Sequence, residues 1–240
     1  MFTMPGESTT FLRARSAAQK QQRREAILAA ARGLGAQRGV RCMTLGDIAG
    51  EVGLAKSNVL RYFGTREEIL LELTVDGWRD WTQAVRGQLD TSEPDPQRVA
   101  EVLAGTISQL PLFCDLLAHT AAHLEHNVSL AAVRSMKLGI RACIAELAAL
   151  LRASLPQLGE RGGPDLVQLT TMLAGSLWQV AHPSDALAAL YEQDPELVPA
   201  HLEFVPTLTR LVARFIDGFA QAKSTERGTA RYPRDGQWTP

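Results

Sequence analysis

The stretch Thr44–Arg66, TLGDIAGEVGLAKSNVLRYFGTR, decides how this chain is read. Thr44 is a good helix N-cap, because its hydroxyl can accept a bond from a free amide of the first turn. Asp47 follows three residues later, where a negative charge suits the positive helix end. Leu45, Ile48, Ala49 and Val52 recur at helical offsets, so one face is apolar. Gly53 stops this helix, since glycine enters the left-handed region without steric cost, and Leu54 plugs the corner. Val59, Leu60 and Phe63 form a second apolar stripe, with Lys56, Ser57, Asn58, Arg61 and Tyr62 beside it. Gly64 closes the second helix. Thr65 caps a third, with Glu67 and Glu68 in its first turn.

Two short helices joined by a glycine turn match the helix-turn-helix unit, whose second helix enters the major groove of DNA. An ordinary helical hairpin with a polar outer face is the plainer alternative. Charge separates the two. Residues 1–66 contain 11 Lys and Arg against 4 Asp and Glu, a net of +7. The remaining residues contain 14 and 22, a net of −8, so the overall −1 hides a strong split. A basic end joined to an acidic remainder is what phosphate binding would leave behind.

On these residues the chain resembles the tetracycline-repressor (TetR) family of bacterial regulators. The resemblance covers residues 23–70. It includes RREAILAAARGLGAQRG as a first helix and the closing run Arg61-Tyr62-Phe63-Gly64-Thr65-Arg66-Glu67-Glu68-Ile69-Leu70. It departs from the family pattern at three places. Ala55 stands where a serine cap is preferred, Asn58 where threonine is frequent, and Leu60 where a phosphate-contacting tyrosine is usual. The first change weakens a cap, and the third removes one expected DNA contact.

Composition narrows the remaining classes. The chain has 240 residues and 45% hydrophobic content, enough for a substantial core. No run of about 20 apolar residues suggests a membrane span, and the N-terminus lacks the apolar segment of a secretory signal. Cys42, Cys114 and Cys143 are scattered without metal-type spacing, as reduced cysteines in a cytoplasmic protein would be. No phosphate loop, HExxH or CxxC motif occurs. Helical periodicity recurs throughout and strand signals are scarce, so an all-α fold is expected.

Along the chain, residues 1–18 read as a disordered basic arm. Arg13, Arg15, Lys20, Arg23 and Arg24 can touch phosphate or the minor groove, or simply form a solvated segment. Residues 19–66 form the helix-turn-helix domain, with a first helix over 19–38. A helix over 66–89 buries Ile69, Leu70, Leu73, Val75, Trp78, Trp81 and Val85 and ties this head to the rest. Pro94 and Pro96 break the chain after it. Helices near 96–109, 111–126, 129–155, 164–182, 185–193 and 201–221 follow. Residues 67–222 are expected to make a helical domain, which the resemblance implies is for ligand binding and dimerisation, and 223–240 a flexible tail.

Within this second region His119, His123 and His126 share one helix side. That pattern suits a metal, a pH sensor, a pocket lining or a plain surface. No carboxylate or cysteine stands at metal spacing, so no metal and no cofactor is expected. An apolar ligand pocket draws on Phe113, Leu117, His123, Met136, Ile140, Met172 and Trp178. Arg141 interrupts an apolar stretch and either meets an anionic ligand group or pairs with Glu146 or Asp115. Segments 166–181 and 204–220 are apolar on more than one face. The first holds Ala174, Gly175 and Ser176, small residues that allow close helix approach. Two such helices from each subunit make a four-helix interface, as the resemblance also implies.

The expectation is a homodimeric DNA-binding regulator without enzymatic activity. Lys56 and Arg66 fall on phosphates, Thr44 and Tyr62 help at the backbone, and Ser57, Asn58 and Arg61 meet base edges. A twofold dimer suits a palindromic operator, the resemblance implies repression, and the apolar pocket candidates suit release by a hydrophobic or amphipathic small molecule. An activator of the same fold, or an architectural DNA binder without ligand, are the alternatives. No nucleophile, base and orienting group can be matched to support an enzyme.

Overall fold

The alanine- and leucine-rich periodicity produces ten α-helices and no strand among the described residues, which are 7–89, 95–119, 127–198 and 203–226 of a computed structural model. In chain order the helices are α1 (Glu7–Arg38), α2 (Leu45–Glu51), α3 (Lys56–Val59), α4 (Arg66–Gln88) and α5 (Pro96–Ser108). There follow α6 (Pro111–His119), α7 (Leu130–Ser154), α8 (Gly159–Ala181), α9 (Asp185–Gln193) and α10 (Phe204–Glu226). Short 3-10 turns occupy Pro156–Leu158 and Pro195–Leu197.

The ends of these helices follow from local chemistry. Thr65 accepts a bond from the Glu68 amide at 3.2 Å and starts α4. Asp95 accepts from the Gln97 amide at 2.9 Å, with Pro96 in the first turn of α5. Ser129 accepts from the Ala132 amide at 3.2 Å and starts α7. Each oxygen satisfies a donor that a helix N-terminus leaves without an intrahelical partner.

Several boundaries differ from the sequence expectation. Helix α1 begins at Glu7, so residues 7–18 are helical rather than an irregular arm. Pro164 lies inside α8 instead of opening it; the helix starts at Gly159 after the 3-10 turn. Helix α6 is described to His119, so the expectation for Thr120, His123, Leu124 and His126 lies outside the described residues. Helix α10 continues through Glu226, past the expected end near 221.

Two apolar cores share one long helix. The head core gathers Ile27, Ala31 and Leu34 of α1, Ile48 and Ala49 of α2, Val59 and Phe63, and Ile69, Leu70, Leu71, Leu73 and Val75 of α4. The body core gathers Trp78, Trp81 and Val85 of the same α4 with residues of α5, α6, α7, α8 and α10. Helix α4, about 35 Å long at 1.5 Å per residue, therefore runs unbroken from one core into the other. Met136 and Leu116 from the body enter the head core, and Ile140 packs against both.

The body core is built around aromatics. Phe113 meets Trp78 edge-on at 5.7 Å, and Trp78 meets Trp81 edge-on at 5.8 Å. Such pairs add roughly 0.5–1.5 kcal/mol beyond area burial. The Trp81 indole N–H donates to the Thr106 hydroxyl at 3.0 Å, so its one polar group is satisfied. Ala174 and Gly175 are buried within the chain. A side chain on Gly175 would stand 2.9 Å from the Ala118 amide nitrogen, so this residue sets the α6–α8 approach rather than an approach between subunits. Met172 and Val180 are the apolar residues that α8 leaves outside, at 64% and 44% exposure.

Candidate nucleic-acid interface

The turn between α2 and α3 depends on Gly53, whose φ of 64° suits a residue without a Cβ. Helix α2 opens with a complete capping box. The Asp47 amide donates to the Thr44 hydroxyl oxygen at 3.2 Å, and the Thr44 amide donates back to the Asp47 carboxylate at 2.7 Å. The Thr44 hydroxyl also donates to that carboxylate, at 2.6 Å. Donation by the Thr44 hydroxyl, then by its amide, holds the Asp47 carboxyl below the usual range, and Arg38 and Lys56 add to this. Helix α3 has no such support, because Ala55 at its N-cap offers no side-chain bond. Regular helix spans Lys56–Val59, and tighter turns continue it to Phe63, with Arg61 N–H on Asn58 O and Tyr62 N–H on Val59 O.

Val59 and Phe63 anchor this element in the head core, at 0% and 2% exposure. Leu60, read as part of the same stripe, is instead 44% exposed. Lys56, Ser57, Asn58 and Arg61 all face outward, and Tyr62 is half-buried. Asn58, Arg61 and Tyr62 share a cleft of about 1000 Å³ with Gln19, Lys20, Gln22 and Arg23 of α1. Three cations, Lys20, Arg23 and Arg61, thus line one groove with two amide side chains of α1 and one of α3. The α1 contribution was only partly legible. Lys20 and Arg23 stood out as basic residues of the first helix, but their place beside the α3 segment follows from how α1 packs.

Two arginines are turned inward. The Arg66 guanidinium donates through Nε to the Met43 carbonyl at 2.5 Å and through a terminal nitrogen to the Val40 carbonyl, and pairs with Glu67 at 3.2 Å. Arg66, expected on a phosphate, therefore fastens the loop between α1 and α2. Arg24 donates to the Tyr62 carbonyl at 2.8 Å, pairs with Glu72, and lies 4.1 Å over the Phe63 ring. It locks α1 to the end of the α3 segment and to α4.

Two carboxylates join this head to the body. Asp115 of α6 accepts from the Val40 amide at 2.6 Å and from the Gln179 side-chain amide of α8 at 2.9 Å. His119 stands 3.4 Å from the same carboxylate. One side chain thus contacts the α1–α2 loop, α6 and α8 together. Glu68 of α4 accepts from the Gly64 amide at 2.8 Å and from the Ser129 amide at the start of α7 at 3.0 Å. Partial burial pushes the Glu68 carboxyl up. Donation from Ser129 and Gly64 and the charge of Arg24 outweigh that, and its pKa lies below the usual value.

The described residues expected to form a ligand pocket divide between the two cores and the surface. Phe113 is 2% exposed in the aromatic core, with Leu117 and Ile140 packed at its edges. Met136 is 2% exposed in the head core and borders a cleft of about 450 Å³ between α1, α4 and α7. Arg141 faces outward, while its expected partners are engaged elsewhere: Glu146 pairs with Arg86, and Asp115 with the groups given above. Met172 is on the surface, and Trp178 stacks on His182 at 3.7 Å and meets Phe204 edge-on at 5.4 Å. His123 lies outside the described residues. Among the described residues no three His, Cys, Asp or Glu side chains cluster as metal ligands, and no single helix is long and apolar enough to cross a membrane.

Comparison with known proteins covers both parts of the chain. A family model described as bacterial regulatory proteins, tetR family, matches residues 27–73. A second, described as the tetracyclin repressor-like C-terminal domain, matches residues 75–223. Among solved structures, the chain is similar to the TetR family transcriptional regulator PfmR of Thermus thermophilus at 16% identity, with 81% of this chain and 97% of that one covered and a TM-score of 0.48. It is also similar to the transcriptional repressor FadR of Thermus thermophilus, at 16% identity, 90% and 100% coverage and a TM-score of 0.48. Mycobacterium smegmatis AmtR aligns at 20% identity, with 97% and 100% coverage and a TM-score of 0.44. No curated protein sequence matches the chain.

Proposed function

Since the chain belongs to the tetR family of bacterial regulatory proteins and is a DNA-binding regulator, we propose that it acts as a homodimeric repressor that a small molecule releases from a palindromic operator. The observation that carries the DNA part is the cleft in which Asn58, Arg61 and Tyr62 of the α3 segment face Lys20 and Arg23 of α1. Asn58 and Arg61, with Ser57, meet base edges, because an amide can pair with adenine and a guanidinium with guanine through two bonds each. Lys56, Lys20 and Arg23 neutralise phosphates, and Thr44 and Tyr62 assist at the backbone. Arg66 and Arg24 hold the head in shape.

Dimerisation through α8 and α10 suits this reading, since both helices leave apolar side chains such as Met172, Val180 and Val205 outside. Two reading helices must then fall about 34–36 Å apart to occupy successive major grooves. A ligand that displaces α6 or α8 acts on the head through Asp115, which touches both helices and the Val40 amide. A ligand that shifts α7 acts through Glu68 and Ser129. The mainly apolar body makes the effector hydrophobic or amphipathic, and it has to prefer the releasing state by several kcal/mol for a sharp switch.

The test is selection of bound DNA from a random pool, with and without cell extract. Two inverted half-sites about one DNA turn apart, lost on addition of a low-molecular-weight fraction, are the expected result. A symmetric site unaffected by any extract points to an architectural binder, and binding without sequence preference rejects the assigned base contacts.

A further inference from the structure

Between α8 and α10 the chain makes an excursion that its own fold leaves uncovered. Helix α9 contains no buried residue, and its substantial packing within the chain is with the 3-10 turn that follows it. A helix of this length is marginal in water unless tertiary packing supports it. Large apolar side chains are nevertheless exposed here: Leu187 and Leu190 on α9, then Leu197 and Val198. Val180 at the end of α8 and Val205 at the start of α10 extend the same exposed series.

The excursion is also of one charge. No Lys or Arg occurs between Arg161 and Arg210, whereas Asp185, Glu192, Asp194 and Glu196 fall within the arm. Its chemical complement stands on α7. There Leu130 and Leu138 are 89% and 50% exposed, and Arg134 and Arg141 face outward with them. Residues 134, 138 and 141 are spaced by four and three, so they share one helix face. No acidic residue occurs between Asn127 and Ala145. The opposite side of α7 is already engaged by α4 and α8.

We propose that the α9 arm of one copy lies on the outer face of α7 of a second copy, with Leu187 and Leu190 against Leu138 and the arm's acids toward Arg134 and Arg141. A second copy is favoured over an unrelated partner because both complementary surfaces belong to this one sequence. The arm is also continuous with α8 and α10, the helices assigned to dimerisation. In a twofold dimer the contact forms twice, each copy giving an arm and receiving one. This assigns Arg141 to an interface rather than to a ligand. The inference rests on the dimeric reading above.

Two measurements test it in the full chain. In a Cys42→Ser background, tagged Leu190→Cys protein is equilibrated with untagged Leu138→Cys protein and treated with a short bismaleimide. A covalent tagged–untagged pair is expected, and only a contact between copies can produce it. In sedimentation equilibrium, Arg134→Glu with Arg141→Glu is expected to weaken the dimer about tenfold or more. Glu192→Arg with Glu196→Arg is expected to do the same, and combining all four to restore it. A dimer that shows neither the cross-link nor any response to charge reversal overturns the arm contact and leaves the dimer standing. A cross-link formed only when both cysteines are on one chain overturns the second copy as occupant. A chain that is monomeric at every concentration rejects the dimeric reading itself.

Discussion

Asn58 and Lys56 sit two residues apart on the same exposed turn, yet their chemistry predicts different losses. An amide reads a base edge, while an ammonium meets phosphate as a point charge. Asn58→Ala should relax preference at one or two base positions, at about 1–3 kcal/mol each. Lys56→Ala should weaken binding to all sequences alike. Binding measured across a panel of single-base operator variants distinguishes the two, and equal, sequence-blind losses from both would sink the assignment. Asp115 makes a different residue-scale argument. Its two oxygens accept from Val40 and Gln179, and asparagine can accept at only one of them. Asp115→Asn therefore sets an NH₂ against one of these donors and should cost about 1–3 kcal/mol. Urea denaturation gives the cost, and the Val40 amide should exchange its hydrogen faster. Unchanged exchange at Val40 would mean that this bond does not hold the loop. Of the residue roles, the exposed polar set on α3 was legible because side-chain type and helical offset suffice to define it. Arg66 was not, because nothing in its neighbours announces that Val40 and Met43 present carbonyls to it.

Helices α2, α4, α5 and α7 begin where a side-chain oxygen caps them, whereas α3, like α8 and α9, begins without one. Ala55 has φ −70° and ψ 147°, the extended geometry of a capping residue, but no oxygen to offer. Ala55→Ser supplies one and should stabilise the head by about 1 kcal/mol, read from its thermal unfolding. No gain, with α3 unchanged by amide exchange, would show that the turn already satisfies its donors in another way. The joint between α4 and α7 titrates. Glu68 has a lowered pKa in the fold, so the stability it contributes is present above the unfolded glutamate value of about 4.3. It is lost as pH falls through the lower folded value. Glu68→Gln should be less stable than the unmodified chain at pH 7, by about 1 kcal/mol. The difference should close on acidification below roughly pH 4. A gap that stays constant from pH 7 to pH 3 would remove the carboxylate from this role. The existence of most helices was legible from caps, prolines and periodicity. Their ends were less so: α1 reaches back to Glu7 and α8 begins ahead of Pro164, because the first turn of a helix is the part that residue type defines least sharply.

Across the whole molecule, charge and core are distributed differently. The net positive charge lies in the first 66 positions, while the apolar residues build two cores threaded by α4. The cleft between α1 and α3 predicts that affinity for DNA falls steeply with salt. Removing Lys20 and Arg23 together should flatten the slope of log affinity against log salt by about one for each phosphate no longer neutralised. An unchanged slope would place α1 away from the duplex. The sequence by itself determined the helix-turn-helix, its N-terminal caps, the charge split and the all-α class. Each of these depends on residues within a few positions of one another, or on simple sums. Only the tertiary structure decided that Arg24 and Arg66 point inward, that the expected pocket residues disperse between core and surface, and that Asp115 reaches Val40. That last bond spans 75 positions. Such pairings depend on which helices meet and at what rotation, and that is set by burying two apolar faces together, a property no single segment contains.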